Sequence, residues 1–168
     1  MKTNFYPFQI PRMILVTCFI LILQTAGMTQ PYAINTNVSS TQPSANESFE
    51  ITFSIADPLD FYYGGLEVTY SEELFEFTGV ENTGLSAGGL HSSGEISSGI
   101  IGVSVSRTSS LSAPDQGDFM KLTFRVKGSA MAVTAEFTFS GQEITDSQGN
   151  IIETSSIEAL SVEIQESI

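Results

Sequence analysis

The sequence predicts an all-β protein in which antiparallel strands form a sandwich of two sheets. Three observations lead to this prediction. Apolar and polar residues alternate in six short segments, clusters of turn-forming residues separate these segments, and no stretch shows helical periodicity over three turns. Because alternation indicates a strand with one buried face, many such strands in one chain favour two sheets whose inner faces share a core.

The first clear strand runs from Phe49 to Ile55, where Phe and Ile alternate with Glu, Thr and Ser. Residues 34–48, rich in Ser, Thr, Asn and Pro, are interpreted as an earlier strand followed by a loop. The same alternation predicts five further strands, at Leu66–Tyr70, Ile101–Val105, Met120–Val126, Val133–Phe139 and Leu160–Ile164. Between them lie turn formers such as Asp57-Pro58, Gly88-Gly89, Lys127-Gly128 and Gly149-Asn150. The best helical candidate is a single turn at Ser71–Leu74.

The amino-terminal end differs in composition from the rest of the chain. Lys2 and Arg12 precede an apolar run from Met13 to Leu23, and small residues follow at 25–27. This order is typical of a secretory signal peptide, and the run is shorter than the roughly 20 residues that a membrane-spanning helix needs. We therefore expect residues 1–33 to be a signal peptide, cleaved between 27 and 33. Residues 34–168 would then form a single secreted domain without membrane contact.

The composition excludes several classes of function. The chain has 19 acidic and 6 basic residues and a net charge of −13, so it would repel nucleic acid and anionic membranes. It contains one Cys (Cys18) and one His (His91). A disulfide framework, a Cys/His zinc site and a Cys–His nucleophile pair therefore lack the residues they require.

Candidate catalytic and metal sites are weak. Acidic pairs such as Asp115/Asp118 stand outside any catalytic motif, and His91 lies in a Gly/Ser-rich segment that is interpreted as an exposed loop. The segment from Asp146 to Asn150 carries too few carboxylates for a calcium loop and is interpreted as a turn. We expect a protein without catalytic residues, metal ligands or cofactor.

The run Phe61-Tyr62-Tyr63 is the most interesting surface candidate. Extending the alternation back from Leu66 places Tyr62 and Gly64 on the core side. The outer side then carries Tyr63, Gly65, Glu67 and Thr69. An outward Tyr beside Gly offers a flat surface for a sugar ring or a protein partner. Alternatively, the Tyr covers the gap that the glycine leaves, and the sequence alone does not decide between these two roles.

Three of the basic residues, Lys121, Arg125 and Lys127, share the outward side of one predicted strand. We expect them to pair with acidic residues on neighbouring strands, such as Glu50 and Glu163. A site for an anionic ligand is the alternative interpretation.

The order of several segments resembles that of cohesin domains. Gly64-Gly-Leu-Glu-Val-Thr-Tyr70 followed by Glu73-Leu-Phe-Glu-Phe77 is similar to the family pattern G-x-x-x-x-L-x-Y-D-P-x-x-L-x-V. Four further segments agree in order, namely Asn82–Leu85, Ile101–Arg107, Gly117–Gly128 and Asp146–Asn150. The chain departs from the family where Ser71-Glu72 replaces Asp-Pro.

This resemblance implies a jelly-roll-like sandwich of about nine strands that binds rather than catalyses. It also implies a dockerin-type partner on another protein, in polysaccharide-degrading or surface assemblies outside a bacterial cell. The basic strand would belong to the sheet opposite the docking face. We expect the contact face to be formed by Tyr63, Glu67, Thr69, Ser104 and Ser106.

Two other functions remain open. Carbohydrate-binding modules share this sandwich architecture, so a polysaccharide is an alternative ligand. A structural adhesin or matrix subunit is a further alternative, because a fold by itself does not determine the ligand.

Overall fold

The computed structural model describes residues 30–108 and 116–166. Most of the predicted signal peptide, including Cys18, lies outside these ranges, as does Asp115. Across the described ranges, no helix combines the length and the apolar character needed to cross a membrane.

The described residues form ten β-strands and one short 3₁₀ helix. In chain order they are β1 (Ile34–Val38), β2 (Ser48–Ile55), β3 (Tyr63–Thr69), β4 (Phe75–Asn82), the 3₁₀ helix (Gly84–Ser86), β5 (Leu90–Ser97), β6 (Ile100–Ser106), β7 (Gly117–Val126), β8 (Val133–Thr145), β9 (Ile151–Ile152) and β10 (Leu160–Ile164). The predicted all-β class is confirmed, with ten strands where the sequence predicts about nine.

The strands form two antiparallel sheets. One sheet has four strands in the order β1-β2-β7-β4, and the other has the order β10-β8-β3-β6-β5, with β9 paired to β8. We call them the four-stranded and the six-stranded sheet. The predicted sandwich is therefore confirmed, and β7, which carries the basic residues, lies in the sheet that does not contain β3.

Phenylalanine dominates the core between the sheets. Phe137 of β8 contacts Phe49, Phe75 and Phe124 of the four-stranded sheet, with ring centroids 5.8, 5.0 and 4.9 Å away. All four side chains are at most 1% exposed. Edge-to-face and tilted arrangements of this kind stabilise aromatic clusters beyond the apolar area that they bury.

The six strands predicted from alternation correspond to β2, β3, β6, β7, β8 and β10, and the earlier strand to β1. The predicted turn is present, since the Leu74 and Phe75 amides both donate to the Ser71 carbonyl at 3.1 and 3.0 Å. The loop predicted around His91 is wrong, because this residue lies in β5. All eight residues of β5 are exposed, so the strand has no buried face to produce an apolar period.

Candidate functional site

The five predicted contact residues lie on one face of the six-stranded sheet. The register of β3 and β6 places Tyr63 opposite Ser106 and Gly65 opposite Ser104. Directly opposed residues of antiparallel strands point to the same side of a sheet. The outer face of this sheet therefore carries Tyr63, Glu67, Thr69, Ser104 and Ser106. Their role in binding stays a prediction.

Of the two positions predicted to face the core, one is wrong. Gly64 is buried, and a Cβ added there would lie 3.1 Å from ring atoms of Phe61 and Phe119. Tyr62, in contrast, is 37% exposed. The strand begins only at Tyr63, so the alternation does not extend back to residue 62, and Phe61 enters the core in its place.

A shallow groove of about 270 Å³ lies on this outer face. Residues of β3, β5, β6 and β8 line it, among them Gly65, Gly102 and Gly141. Its main side-chain contributions come from Tyr63, Glu67, Ser92, Ile96, Ser104 and Glu143. Three predicted residues therefore line the groove, while Thr69 and Ser106 lie on the same face outside it.

The Tyr63 ring covers Gly65 at the floor of the groove. A Cβ added to Gly65 would lie 2.5 Å from the Tyr63 hydroxyl oxygen and 3.1 Å from the ring carbon that carries it. Real Cβ atoms do not approach other atoms this closely, so the ring position depends on a glycine at 65. Tyr63 is only half-buried. It covers the glycine gap and also presents one wall of the groove.

Two carboxylates give the groove a negative charge. Glu67 of β3 is exposed and accepts a hydrogen bond of 3.4 Å from Ser140. Glu143 of β8 lies opposite Gly65. No described Lys, Arg or His lies within 4.0 Å of either carboxylate, so both charges are available to a cationic group.

A bulge in β8 changes the alternation of this strand, so that Glu143 faces outward as Ser140 does although the two are three residues apart. Between Gly65 and Glu67, one residue of β3 faces two of β8, and Gly141 adopts φ +59° at this point. A bulge redirects side chains and is common beside binding sites. The bulge follows from a glycine that tolerates positive φ, but Glu143 was not predicted as a site residue.

A hydrogen-bond cluster centred on Asn82 holds β5 in place as the other wall. The Asn82 amide nitrogen donates to the carbonyls of Ser86, Leu90 and Ser106 at 3.0, 3.1 and 3.4 Å. Its amide oxygen lies 2.9 Å from His91 Nδ1. Because the amide nitrogen is the donor, the imidazole donates through Nδ1. The cluster joins β4, the 3₁₀ helix, β5 and β6.

The predicted pairing of the basic stripe is correct for one of the two acids. Lys121 forms ion pairs with Glu50 at 3.1 Å and with Glu81 at 3.0 Å, and hydrogen bonds from Lys121 to Glu81 and then to Glu50 raise the pKa of this amine. The pairing with Glu163 is wrong, because β10 belongs to the other sheet. Glu163 instead accepts a 2.9 Å hydrogen bond from Gln42.

The other two cations of the stripe bind backbone carbonyls. Arg125 Nε donates to the Asn46 carbonyl at 3.3 Å, and Lys127 Nζ donates to the Glu72 carbonyl. The stripe therefore acts within the four-stranded sheet and its flanking turns, on the side of the sandwich away from the groove. Nothing in this arrangement favours an anionic ligand.

Asp146 organises the turn that precedes β9. Its Oδ1 accepts hydrogen bonds from the amides of Gln148 and Asn150 at 2.9 and 2.8 Å, and its Oδ2 accepts one from the Asn150 side chain at 2.8 Å. These contacts lower the pKa of the Asp146 carboxyl below its ordinary value of 3.8, the Asn150 side chain contributing most. The carboxylate is used within the turn, as the sequence predicts.

Replacement of Asp146 by Ala is expected to lower stability most at neutral pH. A carboxyl with a lowered folded-state pKa stabilises the fold above pH 3.8, and this contribution is lost as the pH falls through the lower folded-state pKa. The difference between the urea midpoints of the parent and the variant should therefore shrink below pH 3.8. A difference that stays constant with pH would contradict an ionised Asp146 in the turn.

Among residues 30–108 and 116–166, no three His, Cys, Asp or Glu side chains are grouped so that they could hold a metal ion. Some acidic residues of this part of the chain accept hydrogen bonds from neighbouring groups instead. Asp60, for example, accepts hydrogen bonds from the amide and the hydroxyl of Ser147. The groove is suited to non-covalent recognition.

Comparison with known proteins places the fold. No family model matches the chain, and no curated protein matches it. Solved cohesin structures do match. The sixth cohesin of Acetivibrio cellulolyticus scaffoldin B, crystallised with a dockerin, superposes with a TM-score of 0.63 at 17% identity, covering 81% of this chain and 100% of that one. A cohesin module from a Clostridium perfringens family 33 glycoside hydrolase gives 0.67 at 16% identity, with coverages of 83% and 100%.

An archaeal cohesin is also similar in fold. A non-cellulosomal cohesin from the archaeon Archaeoglobus fulgidus superposes with a TM-score of 0.61 at 18% identity, covering 79% of this chain and 91% of that one. The chain therefore has a cohesin-like fold, as the order of its segments predicts.

Proposed function

We propose that the chain is a non-catalytic module that docks a dockerin-type protein partner through the groove of the six-stranded sheet. The observation that carries this proposal is the groove itself, an acidic, glycine-floored depression on a cohesin-like fold. Solved structures of similar fold were crystallised with dockerins. The setting we propose is outside a bacterial cell, after removal of the signal peptide, in an assembly that acts on polysaccharides.

The chemistry of the groove indicates what the partner presents to it. Glu67 and Glu143 favour a Lys or Arg side chain, and Ile96, which is 56% exposed, favours an apolar side chain beside it. The groove lies on paired strands and is preformed, so docking requires little rearrangement of this chain. With a net charge of −13, the chain also attracts a cationic partner at long range.

The proposal predicts that Glu67→Gln weakens binding to a cognate dockerin about tenfold, because a charge-assisted contact is lost. Calorimetric titration against a panel of dockerin modules provides the measurement. Gly65→Ala is a second variant that should weaken binding. The added Cβ would displace the end of the Tyr63 side chain, which forms one wall of the groove, and leave the strands in place. Glu76→Gln is the matched control, an exposed acid on the four-stranded sheet.

Two results would contradict the proposed function. One is equal loss of affinity in Glu67→Gln and Glu76→Gln, which would assign the effect to overall charge. The other is the absence of binding to any dockerin together with capture of no secreted protein by the parent chain.

A carbohydrate ligand has one specific observation in its favour. Tyr62 is exposed beside a cavity of about 360 Å³ that is also lined by Asp60 and Arg107. An exposed aromatic ring with polar neighbours is suited to stacking on a sugar. Retarded migration in gels that contain a soluble polysaccharide, lost in Tyr62→Ala and kept in Glu67→Gln, would favour this function over docking. A structural adhesin would instead assemble without either ligand.

A further inference from the structure

Strand β5 is an exposed edge of the six-stranded sheet. In the described part of the chain it pairs only with β6, and all eight of its residues are exposed. An edge strand presents unpaired backbone N–H and C=O groups, which are a template for pairing with another strand. An edge of this length is therefore available to a further strand.

Two large apolar side chains on this edge are not explained by the core. Leu90 is 69% exposed and Ile96 is 56% exposed. Leu90 lies opposite Ser106 on the outer face, and Ile96 lies over Gly102 on the same face, since a Cβ on Gly102 would be 3.3 Å from Ile96 Cδ1. Covering them with another apolar surface would be favourable in proportion to the apolar area removed from water.

The sequence of β5 is complementary to itself when it is read in the opposite direction. In an antiparallel pair centred on Ser93, Leu90 of one copy faces Ile96 of the other, His91 faces Glu95, and Ser92 faces Gly94. Apolar residues meet apolar residues, the imidazole meets a carboxylate, and small residues meet at the centre. Each of these pairs occurs twice, as a two-fold axis requires.

We propose that two copies of this chain associate through antiparallel pairing of their β5 strands. The result is one continuous sheet across the dimer, with both grooves on the same side. Leu90 of the second copy extends the Ile96 wall of each groove. The inference does not depend on what the groove binds.

The pair formed by His91 and Glu95 favours a second copy in this register. Glu95 lies on the inner side of the edge, opposite Ile101 of β6, where an inward carboxylate discourages pairing with an apolar strand. His91 of a second copy faces it, and when the ring carries both protons Nδ1 donates to Asn82 while Nε2 donates to this carboxylate. A register shifted by two residues would place Leu90 opposite Gly94 or Ser98 and lose both the apolar and the charged pair.

Sedimentation of the full chain tests the proposal. The mass of the sedimenting species should rise with concentration from 18.1 kDa, the mass of one chain, to twice that value. Leu90→Glu and Ile96→Lys are each expected to weaken the dimer about tenfold or more, because a charge would face an apolar side chain. The double variant should recover dimerisation, since Glu at 90 then faces Lys at 96. Met131→Glu is the control, an exposed apolar residue outside β5.

Cross-linking tests the register. In a chain that carries Cys18→Ser, oxidation of Ser93→Cys should give a covalent dimer, because residue 93 faces itself across the axis. Ser97→Cys should not, because residue 97 of one copy and residue 97 of the other lie eight residues apart along the paired strands. A parent chain that stays monomeric at all concentrations, a double variant no better than the single ones, or equal cross-linking at 93 and 97 would overturn the proposal. Glu67→Gln should leave the dimer unchanged, which separates this test from that of docking.

Discussion

Replacement of Phe137 by Ala is expected to lower the free energy of unfolding by about 3–5 kcal/mol, the usual loss for truncating a buried Phe. The side chain is 0% exposed and reaches from β8 across the sandwich. Its ring lies between those of Phe49, Phe75 and Phe124 on the opposite sheet. Truncation would therefore leave a cavity at the junction of the two sheets, where rigid strands on both sides limit collapse.

Urea unfolding followed by far-ultraviolet circular dichroism measures this loss as a shift of the midpoint at constant slope. The matched control is Val133→Ala, which truncates an apolar side chain on the same strand. Val133 is 43% exposed, so its replacement should change stability by no more than about 0.5 kcal/mol. A similar loss in both variants would contradict the central position of Phe137 in the core.

The sequence predicts those strands that have one buried and one solvated face. Phe49 to Ile55 shows the reason, since every second side chain of β2 is at most 1% exposed. β4 was not predicted, because a register shift between Phe77 and Gly79 breaks its alternation. β5 was not predicted either, since its inward positions, including His91 and Glu95, carry polar side chains at the open edge of the sandwich.

The sequence predicts only the part of the candidate site that lies on β3 and β6. Leu66 and Val68 fix the register of β3, and this register places Glu67 outward. The opposite wall comes from Ile96, and the second carboxylate comes from Glu143. Their positions depend on which strands are neighbours and on the bulge at Gly141, and no local pattern in the sequence contains that information.

Charge in this fold is divided between the two sheets. The basic stripe of β7 is engaged by Glu50 and Glu81 and by backbone carbonyls on the four-stranded sheet. Because the groove carboxylates on the six-stranded sheet have no described cation beside them, while Glu50 and Glu81 share Lys121, the groove is the better suited of these acidic sites to a cationic partner.

Gly89→Ala is expected to lower the free energy of unfolding by about 1–3 kcal/mol, as for other substitutions that force backbone to shift. A Cβ at this position would lie 1.7 Å from the Ser106 carbonyl oxygen and 2.9 Å from that of Ser86. Both contacts are with backbone, which cannot turn away as a side chain does. The Gly89 amide also donates to the Ser86 carbonyl at 3.0 Å, and this bond would be strained by the movement.

Gly94→Ala provides the comparison. It is the same substitution five residues later, within β5, at a position where the added Cβ would meet open space. No atom lies within 4 Å of a Cβ at Gly94, and its φ is not positive. We expect stability to stay the same or to rise by about 0.4–1 kcal/mol through reduced entropy of the unfolded chain. Equal destabilisation by the two variants in urea unfolding would show that β5 is not anchored at Gly89. A loss confined to Gly89→Ala would show that the close approach to Ser106 fixes the strand that forms both the groove wall and the free edge.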